Sequence, residues 1–203
     1  MDLESFPRRA FVRLTAVGVV AAVLAFTVGV RVGRPAGAPA ADSIDVRALQ
    51  DLRYHHEQAV GMSLVLLSKP TEGASALLRQ LARQIVTAQS EENGRMIELL
   101  ARYGAPLANE GDTALDWMGG AVPINEMPGL AVDDDTTELA QSAGARADRL
   151  YVTLMVAHHR AAGVIAGDAA ATASRAEVRD LARVVVASQQ DELARLQAVV
   201  IGP

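Results

Sequence analysis

The chain carries one helix-forming segment twice, and this repetition constrains its fold more than any other feature. All four histidines fall in two adjacent pairs, His55-His56 and His158-His159, at an offset of 103 residues. An aspartate, Asp45 or Asp148, precedes each pair by ten positions, and Ala59 or Ala162 follows four after its first histidine. Leu81-Ala82-Arg83 with Gln89 and Glu92 recurs as Leu181-Ala182-Arg183 with Gln189 and Glu192 at an offset of 100, so the second copy has lost three residues from an internal loop. Each copy is a supersecondary unit that cannot bury its apolar face alone.

Local signals say what the unit is. Asp42 or Ser43 can cap a helix running to about Ser68, where Lys69-Pro70-Thr71-Glu72-Gly73 breaks it. A second helix is expected from about Glu72 to Tyr103, stopped by Gly104 and Pro106. Residues 104–144 form a connecting segment with Trp117 as its anchor and a short helix opened by an Asp135/Glu138 capping box. A third helix is expected over about Ala145 to Ala171, and Ser174-Arg175-Ala176-Glu177 forms a capping box for a fourth. No segment alternates like a strand, and an Ala, Val and Leu core with 3% aromatic residues suits close-packed helices. The expected fold is all-α, a four-helix bundle of two duplicated hairpins, with repeat 1 at about 43–103 and repeat 2 at about 145–200.

The first 41 residues differ in kind. Residues 11–30 are apolar apart from Arg13, and about 20 such residues match a hydrocarbon core of roughly 30 Å. Arg8, Arg9 and Arg13 would keep the start cytoplasmic and send the 42–203 body across the membrane. The segment thus reads as a single-pass transmembrane anchor or as an export signal cut near Ala38-Pro39-Ala40, with Gly33 to Ala41 as a linker. Beyond residue 41 the chain has 14 basic and 22 acidic residues, a net charge of −8, which argues against nucleic acid as a partner. Zero cysteine excludes disulfides, zinc-thiolate sites and iron-sulfur clusters, leaving nitrogen, oxygen and thioether donors for any metal.

Adjacent helix residues point about 100° apart, so one member of each histidine pair can face the bundle axis. His55 shares a stripe with Leu52, Ala59 and Met62, and His158 with Leu154, Met155, Ala162 and Ile165. His55 and His158 are therefore expected inward, with His56 and His159 at the helix seams. Gln89 and Glu92 lie on one apolar stripe and Gln189 and Glu192 on the other, and counting from the turns brings Glu to the depth of the inward histidine. The candidate metal ligands are His55, His56, His158, His159, Glu92 and Glu192. Met62 and Met155 could add soft thioether character suited to Cu(I), with copper ahead of zinc. The alternative is that Glu and His satisfy each other without metal, and the methionines fill the core. Glu57 and Gln58 are expected in solvent.

Met155-Val156-Ala157-His158-His159-Arg160-Ala161-Ala162-Gly163, His55-His56-Glu57-Gln58-Ala59-Val60-Gly61-Met62, the two Gln-x-x-Glu elements and Met127-Pro128-Gly129-Leu130 resemble the domain of unknown function family DUF305 over about residues 43–200. The resemblance implies a ferritin-like helical bundle, exported or membrane-anchored in bacteria, with copper binding in some members. It makes His55, His56, His158 and His159 the candidate ligands and Met62 and Met155 possible helpers. Leu52, Leu130 and Leu196 stand where the family pattern has methionine, and no extra His- and Met-rich segment is present.

Two functions follow as expectations. One is an extracytoplasmic, membrane-associated metal-binding protein that handles copper, with a copper-pathway protein as partner. The other is a metal-free accessory or assembly subunit of a bacterial membrane complex. An enzyme is not expected: no nucleophile elbow or phosphate loop occurs, and a dinuclear oxidase of the carboxylate type needs Glu-x-x-His, which is absent.

Overall fold

A computed structural model describes residues 35–201. Four long helices dominate: α1 (Ile44–Ser68), α2 (Ala76–Arg102), α4 (Gly144–Thr172) and α5 (Ala176–Ile201), with a short α3 (Asp133–Gln141) before α4. Helix α1 packs on α2 and α4 on α5 as hairpins, and the hairpins join through α1 against α4 and α2 against α5. Two reciprocal contacts fix the antiparallel crossing of the hairpins. Asp45 at the start of α1 accepts from the Arg175 amide in the α4–α5 turn (2.7 Å), and Asp148 at the start of α4 accepts from the Ser75 amide in the α1–α2 turn (3.0 and 3.2 Å). The duplicated aspartates thus satisfy orphan amides at the start of the opposite hairpin's second helix.

The duplication persists in packing, since residues 176–196 reproduce the burial of 76–96 position by position. Arg79 donates to the carbonyls of Leu66, Leu67 and Lys69, and Arg179 to those of Ala173 and Ser174. Each closes the C-terminal end of the helix before it, where unpaired carbonyls favour a cation.

The apolar core is divided. One cluster joins Leu49 and Leu52 of α1 to Met96 and Leu100 of α2, Ile165 and Ala169 of α4, and Leu181 and Val185 of α5. The other joins Ala59, Met62 and Leu66 to Leu78, Ile85, Leu139, Tyr151, Met155 and Leu196. Between them, at one level on all four helices, lie the histidine pairs and the Gln-x-x-Glu elements, all buried.

The connecting segment is held from α1. Asp51 accepts from the Leu115 amide (2.9 Å), Trp117 Nε1 (2.9 Å) and Asn109 Nδ2 (3.2 Å), which confirms Trp117 as an anchor. A ribbon of β1 (Thr113–Ala114) and antiparallel β2 (Val122–Pro123) lies beside it. Lys69 Nζ donates to the carbonyls of Leu139 (2.7 Å), Ala140 (3.1 Å) and Ser142 (2.7 Å), closing α3.

Several expectations are corrected. Helix α2 begins after Ser75, which accepts from the Leu78 amide, and Glu72 falls in a separate 3-10 turn at Thr71–Gly73. Helix α3 starts at Asp133 with no side-chain cap, so Asp135 lies inside its first turn and Glu138 pairs instead with Arg146. Helix α5 starts at Ala176, one residue later than a Ser174 cap would give, and Glu177 accepts from the Tyr103 hydroxyl. The end of the supposed linker belongs to the folded body: Ala38 packs on the core and the Gly37 carbonyl accepts from Arg175. Among the described residues no helix is long and apolar enough to cross a membrane, and the apolar segment 11–30 lies outside them.

Candidate metal centre

The four histidines occupy the central layer because His55 and His56 on α1 cross His158 and His159 on α4 at mid-length. As expected, His55 and His158 face each other: their ring centres are 3.9 Å apart with planes tilted by 44°. His55 Nε2 donates to the Pro128 carbonyl (3.0 Å) and His158 Nε2 to the His55 carbonyl (2.9 Å). A carbonyl only accepts, so the proton of each neutral ring sits on Nε2 and the Nδ1 lone pair is left over. Neither Nδ1 has a partner.

Glutamate meets the other member of each pair. His56 Nε2 lies 2.8 Å from Glu92 Oε2, and His159 Nε2 lies 2.8 Å from Glu192 Oε2. The expectation that Glu would approach the inward histidine is thereby corrected. The second helix of a hairpin lies at the flank of the first, so its Glu reaches the flank histidine, while the inward ring meets the opposite hairpin.

The two His–Glu pairs differ in detail. His159 Nδ1 donates to the Met155 carbonyl (2.8 Å), so both its nitrogens face acceptors, whereas His56 Nδ1 has no partner. Gln89 Nε2 reaches across to Glu192 Oε2 (3.2 Å), but both amide atoms of its counterpart Gln189 are unpaired. A cleft of about 420 Å³ between α4 and α5 leads to His159 and Gln189 past Gly163 and Val164.

Burial sets the charge state of the inward rings. Desolvation pushes His55 down to about 4, reinforced by charge on His56 and His159 and opposed by its bond to Pro128. His158 is held well below the ordinary value by burial and then by the other three histidines. Both are neutral at physiological pH, the state in which imidazole binds metal.

The layer leaves seven buried side-chain atoms without a partner: Nδ1 of His55, His56 and His158, Oε1 of Gln89, Oδ1 of Asn93, and Oε1 and Nε2 of Gln189. With the Nε2 protons assigned above, Nδ1 of His55 and of His158 and the three amide oxygens present lone pairs, so the layer holds five buried acceptors without a donor. Yet it is not a ready-made cage. Among the described residues no three His, Asp or Glu side chains converge on one point. Two imidazoles sharing a metal at bond lengths of about 2.0–2.1 Å hold their centres roughly 5–6 Å apart, so the stacked pair must part before both bind one ion. Met62 and Met155 pack in the second apolar cluster, and the hydrogen bond that ties Met155 to the histidines runs through its carbonyl.

Other parts of the site were not apparent from sequence. Gln58, expected in solvent, clamps Ala131 through both amide atoms: Nε2 donates to the Ala131 carbonyl (2.8 Å) and Oε1 accepts from its amide (2.7 Å). Glu57 is exposed and pairs with Arg53. The signal for Gln58 was present as a break in the repeat, since its counterpart at an offset of 103 is Ala161.

Fold and site together define a duplicated helical protein with paired histidines buried at its centre. The model of the family described as "Domain of unknown function (DUF305)" matches residues 45–200, and the chain belongs to that family. A DUF305 protein of Streptomyces coelicolor, presumed to be secreted, is 31% identical with TM-score 0.70, covering 77% of this chain and 91% of that one. A DUF305 fragment from Deinococcus radiodurans is 25% identical with TM-score 0.66, covering 79% and 97%. CopM in its Cu(I)-bound form shares the fold at 24% identity and TM-score 0.53, covering 75% and 92%. No curated protein matches the sequence significantly.

Proposed function

We propose that this protein is an extracytoplasmic, membrane-associated metal-binding module of ferritin-like topology that handles copper, with zinc as the second choice. The observation that carries the reading is the surplus of buried lone pairs in the central layer, two on imidazole nitrogens and three on amide oxygens. A buried acceptor without a donor costs about 1–3 kcal/mol, and a cation removes that cost for several at once. His55 and His158 are the first ligands through Nδ1, with the His56–Glu92 and His159–Glu192 pairs beside them as further donors. Met62 and Met155 are secondary thioether donors from the adjoining core. Neutral imidazole with soft neighbours suits copper, and the CopM structures in Cu(I)-, Cu(II)- and Ag-bound forms support copper within this fold. Residues 11–30 would anchor the body or export it, and a copper-pathway protein would be its partner.

A second reading, a metal-free accessory or assembly subunit of a membrane complex, draws support from two observations. The stacked imidazoles already satisfy their Nε2 protons. A largely apolar groove of about 690 Å³ lined by exposed Leu77, half-buried Val199 and the edge of Val152 is also available to a partner.

The deciding experiment is elemental analysis of the untagged full chain from its native compartment, with chelator-competition titration of Cu(I) and calorimetric titration of Zn(II). Near-stoichiometric metal that is lost when His55 and His158 are both replaced by Gln supports the first reading. Unchanged stoichiometry in that double variant, or no affinity tighter than about micromolar (roughly −8 kcal/mol), would overturn it in favour of the second.

A further inference from the structure

The connecting segment crosses the central layer at one point, and there the two copies of the repeat have diverged. Met127-Pro128-Gly129-Leu130 forms a tight turn closed by the Leu130 amide on the Met127 carbonyl (3.1 Å), with Gly129 at φ +81°. Proline and a positive-φ glycine as the two central residues make it a type II turn, in which the orientation of the central peptide, and so of the Pro128 carbonyl, depends on that glycine. The carbonyl receives His55 Nε2.

The turn is held by positions 58 and 161, which are equivalent in the two copies. Gln58 clamps the next residue along, Ala131, by amide and carbonyl. Ala161 gives room: a Cβ on Gly129 would lie 2.6 Å from the Ala161 Cβ, 2.9 Å from the Ala157 carbonyl oxygen and 3.1 Å from the His158 Cα. One copy supplies the clamp and the other the space. His158 needs no such strap, because its proton goes to the His55 carbonyl on α1 itself.

We propose that the Pro128–Ala131 strap, fastened by Gln58, is a positioning device that locks His55 in its Nε2–H form and so presents Nδ1 as the metal-binding atom. This rests on the copper reading for its purpose, though not for its geometry. A metal-ligating histidine ordinarily gives its other N–H to a carbonyl or carboxylate, and loss of that acceptor weakens metal affinity about 10- to 100-fold. Gln58 touches neither histidine proton and acts through the strap.

The test pairs a metal-free readout with a metal-loaded one on Gln58→Ala, with Gly129→Ala as a second variant that displaces the strap from its other side. Proton–nitrogen correlation spectra of the imidazole rings should show His55 as a single Nε2–H tautomer in the parent. In the variants His55 should become a mixture while His158 is unchanged. Chelator competition with Cu(I) should show affinity down about 10- to 100-fold at unaltered stoichiometry. A His55 tautomer that stays fixed in both folded variants overturns the proposal, and so does unaltered Cu(I) affinity. If the parent binds no Cu(I), the copper reading and the strap's metal role fall, while the spectra still decide whether the strap fixes His55.

Discussion

Lowering pH should destabilise this protein steeply between neutrality and about pH 5, because two buried imidazoles must stay neutral for the layer to form. The folded pKa of His55 is about 4, and that of His158 lies well below 6.5, the ordinary value. Below 6.5 the unfolded chain therefore takes up protons that the folded state refuses, so stability is complete above that pH and falls with acidification through the window down to the folded pKa. With a folded value of about 4, His55 costs about 1.36 kcal/mol per pH unit once its unfolded form is protonated, or roughly 2 kcal/mol by pH 5. His158, shifted in the same direction by burial, adds to that slope, and the loss from His55 alone is a sizeable share of the ~5–15 kcal/mol typical of a domain. Urea denaturation at pH 7, 6 and 5 measures the slope, and His158→Gln, which keeps a donor and cannot titrate, should make it shallower. A stability that is flat or rising over this range would refute the reasoning, as would a slope indifferent to His158→Gln.

Three further outcomes rest on single contacts. Lys69→Met removes the cation closing α3 on three carbonyls and should cost about 2–3 kcal/mol, with hydrogen exchange in 133–141 rising more than in α1. Glu192→Leu leaves His159 Nε2 and Gln89 Nε2 without their buried acceptor, and thermal unfolding should report about 3–5 kcal/mol of lost stability. Gly129→Ala combines a left-handed φ with overpacking and should cost about 2–4 kcal/mol, of which Ala161→Gly in the same chain restores part by freeing the space its Cβ fills.

Much of the site could be read in the chain because duplication shows which residues act as a set. The paired histidines, the Gln-x-x-Glu elements and the aspartates ten residues upstream recur together, and all lie in or beside contacts between the hairpins, such as His158 on the His55 carbonyl and Gln89 on Glu192. The role of the aspartates was not readable, because they serve turns 73 and 130 residues away along the chain. Gln58 appeared surface-bound because helical periodicity ranks residues against a helix's own faces and says nothing of a loop laid over one. The choice between flank and inward histidine for Glu also depended on where the neighbouring helix lies.

The sequence by itself determined the helices, the pairing of like hairpins and the presence of one polar layer amid apolar residues, since helical period, breakers and repetition are local properties of the chain. Only the tertiary structure decided that the inward rings stack, that each Glu takes a flank histidine and that Pro128 rather than a symmetry-related carbonyl receives His55. Those choices arise where three or four separated segments meet, and burial there leaves each inward ring one available acceptor, a constraint that no segment carries alone.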